Sequence, residues 1–213
     1  NCPGKNAVAV AELTMGHLIN CDRRLADNVQ HLREQKWAKK KFSKARGLSG
    51  RTLAVLGTGQ IGQEVITRAL AFGMKVQAWS RSLTPEKAAA LGVDYAATPV
   101  DAAKDADALT VHLALTDETK GIVNTAVLAA VKTGAYIINT SRGEMVDEEA
   151  LVEAIKAKKL RAGLDVFANE PGAGDSEFTS PLTQEASVYG THHIGASTDQ
   201  ASEAVGDEVF RII

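Results

Sequence analysis

The sequence predicts an α/β fold, a doubly wound and mostly parallel sheet with helices on both faces. Three observations predict it. Short apolar runs with strand character alternate with stretches of helical spacing along most of the chain. Helix-start signals recur between them, which is the pattern of consecutive βα units. One run, Leu53 to Leu56, passes directly into Gly57-Thr58-Gly59-Gln60-Ile61-Gly62 and then into a helical pattern.

Taken in order, residues 7 to 33 carry Val10, Leu13, Leu18, Ile19, Leu25, Val29 and Leu32 at helical spacing, so one long amphipathic helix is expected, weakened at Gly16. It is longer than a crossover needs, which points to packing on another subunit or domain. The basic stretch Lys36 to Arg46, with Trp37 and Phe42, reads as a solvated connection rather than a nucleic-acid patch. Leu53 to Leu56 is the first strand and Gln60 to Phe72 the helix after it. Met74 to Trp79 forms the second strand. Thr84-Pro85 and Thr98-Pro99 each place an N-cap and a first-turn proline before a short helix. Further strands are expected at Ala108 to Leu113, Ala135 to Asn139, Ala162 to Phe167 and Val188-Tyr189. Asp147 caps the helix Glu148 to Lys158, which is acidic at its start and basic at its end. Asn169 to Pro181 is a loop, and Ser197-x-x-Gln200 reads as the capping box of a last helix.

The glycine stretch has a chemical meaning in this context. Gly57 permits a tight turn, Gly59 a close backbone approach to a pyrophosphate, and Gly62 close packing of helix on strand. With Gln60 and Ile61 they form a dinucleotide fingerprint of Rossmann type, the phosphates facing the helix N-terminus. Bulk properties set the bounds. The 213 residues, 45% apolar and 23% charged with a formal charge of −2, describe an ordinary globular protein. That charge makes no case for nucleic acid or a membrane surface, and no apolar run reaches spanning length. Cys2 and Cys21 cannot build a disulfide framework, so a cytoplasmic location is the default. The missing initiator Met and the helical pattern running to Ile213 read as a piece of a longer chain.

Ligands in such sheets lie at the carboxyl ends of the strands. The polar residues there are Thr58, Ser80-Arg81-Ser82, the run from His112 through Leu113 to Thr116, Asn139 to Gly143, Asp165 to Glu170, and His192-His193. Among them Arg142, Glu170 and His193 form a catalytic constellation. An arginine forks onto a carboxylate, a histidine exchanges a proton with an alkoxide, and an acidic partner fixes that histidine's tautomer. Together they suit hydride transfer between nicotinamide and a 2-hydroxy or 2-oxo acid. No metal ligand set is assigned.

The chain also resembles, over nearly its whole length, the nucleotide-binding domain of the D-isomer-specific 2-hydroxyacid dehydrogenases. The resemblance rests on Gly57-x-Gly59-x-x-Gly62, Val111-His112-x-x-Leu115-Thr116, Asn139-x-x-Arg142-Gly143-x-x-Val146-Asp147, Leu164-Asp165-Val166-Phe167-x-x-Glu170-Pro171 and His193-Ile194-Gly195-Ala196-Ser197-Thr198. It implies that Arg142 orients substrate, that His193 is the acid/base and that Glu170 is its partner. Asp165 then holds the nicotinamide carboxamide, with Thr140, Ser141, Gly195 and Ala196 lining the nicotinamide half. It further implies a flanking substrate domain, pairing of two copies through this domain, and poor turnover by this piece alone. Phe178-x-Ser180-Pro181-Leu182 is similar to the phosphoglycerate-oxidising branch, making 3-phosphoglycerate the first expected substrate. Two positions depart from the family pattern. His192 replaces a proline and reads as structural. Ser80, followed by Arg81, stands where a carboxylate would hold the adenosine ribose, so NADP is expected beside or ahead of NAD. That choice favours a second reading, an NADPH-preferring glyoxylate or hydroxypyruvate reductase. A third is a dinucleotide-sensing corepressor-like binding protein.

Overall fold

The computed structural model describes residues 4–172 and 174–212; Cys2 and Ile213 lie outside the described residues. Seven parallel strands form one sheet in the order β3-β2-β1-β4-β5-β6-β7. They are β1 (Thr52–Leu56), β2 (Lys75–Trp79), β3 (Asp94–Tyr95), β4 (Ala108–Val111), β5 (Tyr136–Asn139), β6 (Arg161–Leu164) and β7 (Val188–Gly190). The central strands are covered on both faces, which is why they read as unbroken apolar runs: β4 and β5 are buried at every residue. One face is covered by α1 (Ala7–Arg23), α4 (Gln60–Ala71) and α5 (Pro85–Ala90), through Leu18, Val65, Ile66 and Ala88. The other is covered by α6 (Pro99–Ala103), α7 (Thr125–Ala130) and α8 (Glu148–Lys158), through Ala102, Leu128, Leu151 and Ile155. The doubly wound expectation is met. The strand order reverses between β1 and β4, and this switch point opens a crevice at their carboxyl ends.

The expected long first helix is two. Arg24 adopts the left-handed conformation (φ 54°, ψ 49°) between α1 and α2 (Leu25–Arg33). Polar side chains capture the backbone groups that a continuous helix would pair. Asn20 Oδ1 accepts the Ala26 N–H at 3.0 Å, and Asn28 Nδ2 donates to the carbonyls of Arg23 and Arg24. Apolar periodicity does not register such a break. Gly16 stays inside α1, which packs on this chain's own sheet and on α4. α2 projects instead: none of its residues is buried, and the same holds for the short helix that follows it. The basic stretch after it holds a short helix, α3 (Lys39–Phe42).

Other boundaries shift by a few residues. β2 begins at Lys75, β4 ends at Val111 and β6 ends at Leu164, leaving Leu113 and Asp165 in loops. β3 and α7 are too short for a periodic signal, although Asn124 caps α7 by accepting the N–H groups of Ala126 and Val127. The final helix, α9 (Asp199–Ile212), is capped by Thr198, whose hydroxyl accepts the Ala201 N–H at 3.1 Å, and not by Ser197. Among the described residues no helix is long and apolar enough to cross a membrane.

Candidate active site

The crevice is built first by glycine geometry. Gly57 ends β1 with φ 106°, and its N–H donates to the Trp79 carbonyl at 2.7 Å. A Cβ at Gly57 would lie 2.2 Å from the His112 carbonyl oxygen, and one at Gly62 would lie 2.0 Å from the Gly57 oxygen. Both positions therefore exclude a side chain. Gly59 differs, because a Cβ there would meet nothing within 4 Å. It occupies the N-cap of α4 with no side-chain cap, so the first N–H groups of the helix face open space. Unpaired N–H donors at the positive end of a helix, beside a position kept bare, fit the pyrophosphate of a dinucleotide. Ile61 packs toward the core, the Gln60 side chain lies against Gly4, and Leu113 borders Gly57.

At one end of this row of strand-end loops, after β2, the Ser80 and Thr58 hydroxyls are hydrogen-bonded at 2.8 Å. Arg81 Nη1 pairs with Glu118 Oε2 at 2.6 Å, both side chains being exposed. Glu118 has no motif to announce it, and only the fold brings it to Arg81.

At the other end, the loop after β5 is shaped by buried Asn139. Its Oδ1 accepts both the N–H (3.0 Å) and the hydroxyl (2.9 Å) of Ser141, and its Nδ2 donates to the Arg142 carbonyl at 2.8 Å. Thr140 shares a 2.8 Å hydrogen bond with Thr14 of α1. Arg142 is exposed, with Nη1 donating to the Ser141 carbonyl at 2.6 Å. Gly143 presses this loop on the next one: a Cβ there would be 2.0 Å from the Phe167 carbonyl carbon. The turn it touches carries Glu170.

Glu170 Oε1 and His193 Nδ1 are 2.6 Å apart. A carboxylate only accepts, so Nδ1 carries the proton and Nε2 is left to exchange one with a ligand. Asp165 fixes the backbone that presents this ring. Its carboxylate accepts the Thr191 hydroxyl (2.5 Å) and the N–H groups of Ile194 (2.9 Å) and Gly195 (2.8 Å). Its carbonyl accepts the His193 N–H at 2.8 Å. His193 is held in the left-handed region at φ 52°, a conformation disfavoured for a non-glycine residue unless its surroundings impose it. In this chain Asp165 thus fastens the 191–195 loop. Ala196 and His192 lie exposed on the same loop.

Two histidines add to the site from behind. His17 of α1 bonds through Nε2 to Thr191 Oγ1 at 3.0 Å. Because Thr191 spends its proton on Asp165, His17 is the donor. Burial lowers the His17 pKa, an effect the charge of Asp165 partly offsets. Sequence reading missed His17 because it lies at helical spacing among apolar neighbours. His112, under the fingerprint, is pushed down to about 3 by burial. Its Nε2 meets Thr110 Oγ1 at 2.9 Å.

Residues 15–195 match the family model described as D-isomer specific 2-hydroxyacid dehydrogenase, NAD binding domain. The chain is 43% identical to a hydroxypyruvate reductase of Thermotoga maritima, covering 100% of this chain and 68% of that protein. It is 39% identical to a D-3-phosphoglycerate dehydrogenase of Methanocaldococcus jannaschii, covering 97% of this chain but 38% of the relative. The fold superimposes on a glyoxylate reductase from Paecilomyes thermophila with TM-score 0.85 at 31% identity, covering 99% of this chain and 62% of that one.

Proposed function

From the premise that the chain belongs to the D-isomer specific 2-hydroxyacid dehydrogenase family, we propose that it is the cofactor-binding and catalytic part of an oxidoreductase acting on a D-2-hydroxy acid or its 2-oxo counterpart. The observation that carries this reading is the Glu170–His193 pair, anchored by Asp165 on the strand-end loops beside the fingerprint. A bound nicotinamide supplies or takes the hydride. The chain's own residues do the rest. The Gly57–Gly62 turn and the start of α4 bind the pyrophosphate, while Thr140, Ser141, Gly195 and Ala196 border the nicotinamide half. Arg142 offers its guanidinium to the substrate carboxylate and the adjacent carbonyl. His193 Nε2 gives a proton to the nascent alkoxide or removes one in the reverse direction, and Glu170 holds the tautomer and stabilises the charged ring.

Because the chain spans less than two fifths of one relative and about two thirds of another, a substrate domain contributed by flanking sequence is part of this reading. Reduction of a small 2-oxo acid such as hydroxypyruvate or glyoxylate, with NADP(H) accepted beside NAD(H), is the first substrate reading. It is put ahead of the 3-phosphoglycerate expected from the sequence, supported by the larger share of the hydroxypyruvate reductase that the chain spans. Ser80 and Arg81 favour it, since position 80 itself carries no carboxylate to bind the ribose hydroxyls and repel a 2′-phosphate. Oxidation of 3-phosphoglycerate is the second, favoured by Phe178-x-Ser180-Pro181-Leu182. The binding-protein alternative gains no support from the site. Steady-state kcat/KM of the full-length protein on hydroxypyruvate, glyoxylate and 3-phosphoglycerate, each with both cofactors, separates these readings. A higher kcat/KM on 3-phosphoglycerate with NAD would reverse their order, and no turnover of any of the three would remove both.

A further inference from the structure

β1 lies between β2 and β4 in the sheet. A side chain on the loop after β2 therefore meets one on the loop after β4 by crossing above the carboxyl end of β1 and the Gly57–Gly62 turn. Arg81 and Glu118 make this crossing, Nη1 to Oε2 at 2.6 Å. Both loops are pinned beside the pair. Buried Thr119, next to Glu118, accepts the Thr116 N–H at 2.8 Å and donates to the Ala114 carbonyl at 2.7 Å. On the Arg81 side, the Leu83 N–H donates to the Ser80 carbonyl at 3.1 Å, and Lys87 Nζ donates to the Ser82 carbonyl at 3.0 Å. The two side chains are 64% and 71% exposed, so the bridge is weak and opens readily to a ligand.

Resting on the reading that Ser80 and Arg81 face the adenosine ribose, we propose that Glu118 sets the preference between NADPH and NADH by competing with the ribose 2′-phosphate for the Arg81 guanidinium. Paired with Glu118, Arg81 brings no net positive charge to this end of the crevice. A 2′-phosphate must displace the carboxylate or sit beside it, whereas a ribose hydroxyl makes no such demand. Glu118 thereby does from the β4 loop what a carboxylate at position 80 would do directly, but in a weaker and salt-sensitive form.

The test is direct binding of NADPH and NADH to the full-length protein and to the Glu118→Gln, Arg81→Ala and doubly substituted variants, read by nicotinamide fluorescence. Glu118→Gln is expected to tighten NADPH by about three- to tenfold at low salt, with NADH unchanged within about twofold. The gain should shrink as ionic strength rises from about 0.01 M to about 1 M, where the screening length falls from about 30 Å to about 3 Å. With Arg81→Ala already present, Glu118→Gln should have no effect. An unchanged NADPH-to-NADH ratio in Glu118→Gln overturns the proposal. If Arg81→Ala weakens NADPH while Glu118→Gln gains nothing, Glu118 alone is wrong. If Arg81→Ala leaves NADPH binding intact, the reading of the adenosine end fails and the role of Glu118 fails with it.

Discussion

His193 shows how bonds suit one residue to the role proposed for it. Glu170 occupies Nδ1 and the Asp165 carbonyl holds the backbone, so Nε2 is the nitrogen left for chemistry. Replacing His193 with Asn is expected to lower kcat by about 10²- to 10⁴-fold, the usual worth of a general acid or base, with dinucleotide affinity unchanged. An equal loss of cofactor binding would move His193 out of the proton-transfer role. His112 makes a prediction about stability. Its folded-state pKa of about 3 lies below the ordinary 6.5 because burial disfavours the charged ring. The unfolded chain therefore binds the extra proton between those values. The stability from the neutral ring is complete above pH 6.5 and is lost on acidification toward pH 3, at up to about 1.4 kcal/mol per pH unit. Urea denaturation from pH 6.5 to 5 should show this slope, and His112→Gln should flatten it. At this scale the sequence was partly readable. Arg142, Glu170 and His193 follow strand ends and could be named, whereas Thr14, His17 and Glu118 matter only through partners distant in the chain.

The fingerprint turn separates folding from binding within one element. Gly62→Ala places a methyl group 2.0 Å from the Gly57 oxygen, and overpacking of this kind costs about 1–3 kcal/mol or more. Gly59→Ala meets no protein atom within 4 Å, and its backbone (φ −71°, ψ −170°) suits alanine. The expected result is a destabilised Gly62→Ala protein, and a Gly59→Ala protein with unchanged melting temperature that binds NADH at least about tenfold more weakly, some 1.4 kcal/mol. Full NADH affinity in Gly59→Ala would show that the open space is not the pyrophosphate site. α1 is an element whose purpose the sequence hid. Its apolar stripe announced packing, yet Thr14 and His17 on the same helix hold the loops after β5 and β7. His17→Leu removes the donor to Thr191 and is expected to lower kcat. His17→Gln, which keeps an N–H in reach, should restore much of it; equal loss in both would mean that ring packing alone matters. Helix starts were legible where a cap side chain marks them, as at Thr84, Thr98 and Asp147. The break at Arg24 was not, because hydrophobic periodicity carries through it while the hydrogen bonds do not.

For the whole molecule, the projecting α2 meets α3 through the His31–Phe42 ring contact and otherwise leaves apolar side chains exposed. Leu25, Val29, Leu32 and Trp37 are 47%, 45%, 57% and 82% exposed along this arm. Apolar side chains grouped this way suit an interface, and a second copy is the occupant that the family resemblance leads one to expect. Sedimentation equilibrium of the full-length protein should give a dimer, and Val29→Asp with Leu32→Asp should dissociate it; a monomer independent of concentration would refute the assignment. By itself the sequence determined the sheet, its parallel sense, the glycine turn and the candidate catalytic side chains Arg142, Glu170 and His193. These follow from local rules: apolar length and alternation, cap residues, glycine where no side chain fits, and chemistry placed after strands. The tertiary structure decided what those residues hold. It turned Asp165 into the fastener of the His193 loop, set His17 behind it, and placed Glu118 against Arg81. Each of these joins segments 26 to 174 positions apart or 37 across the switch point, where strand order rather than chain order sets who meets whom.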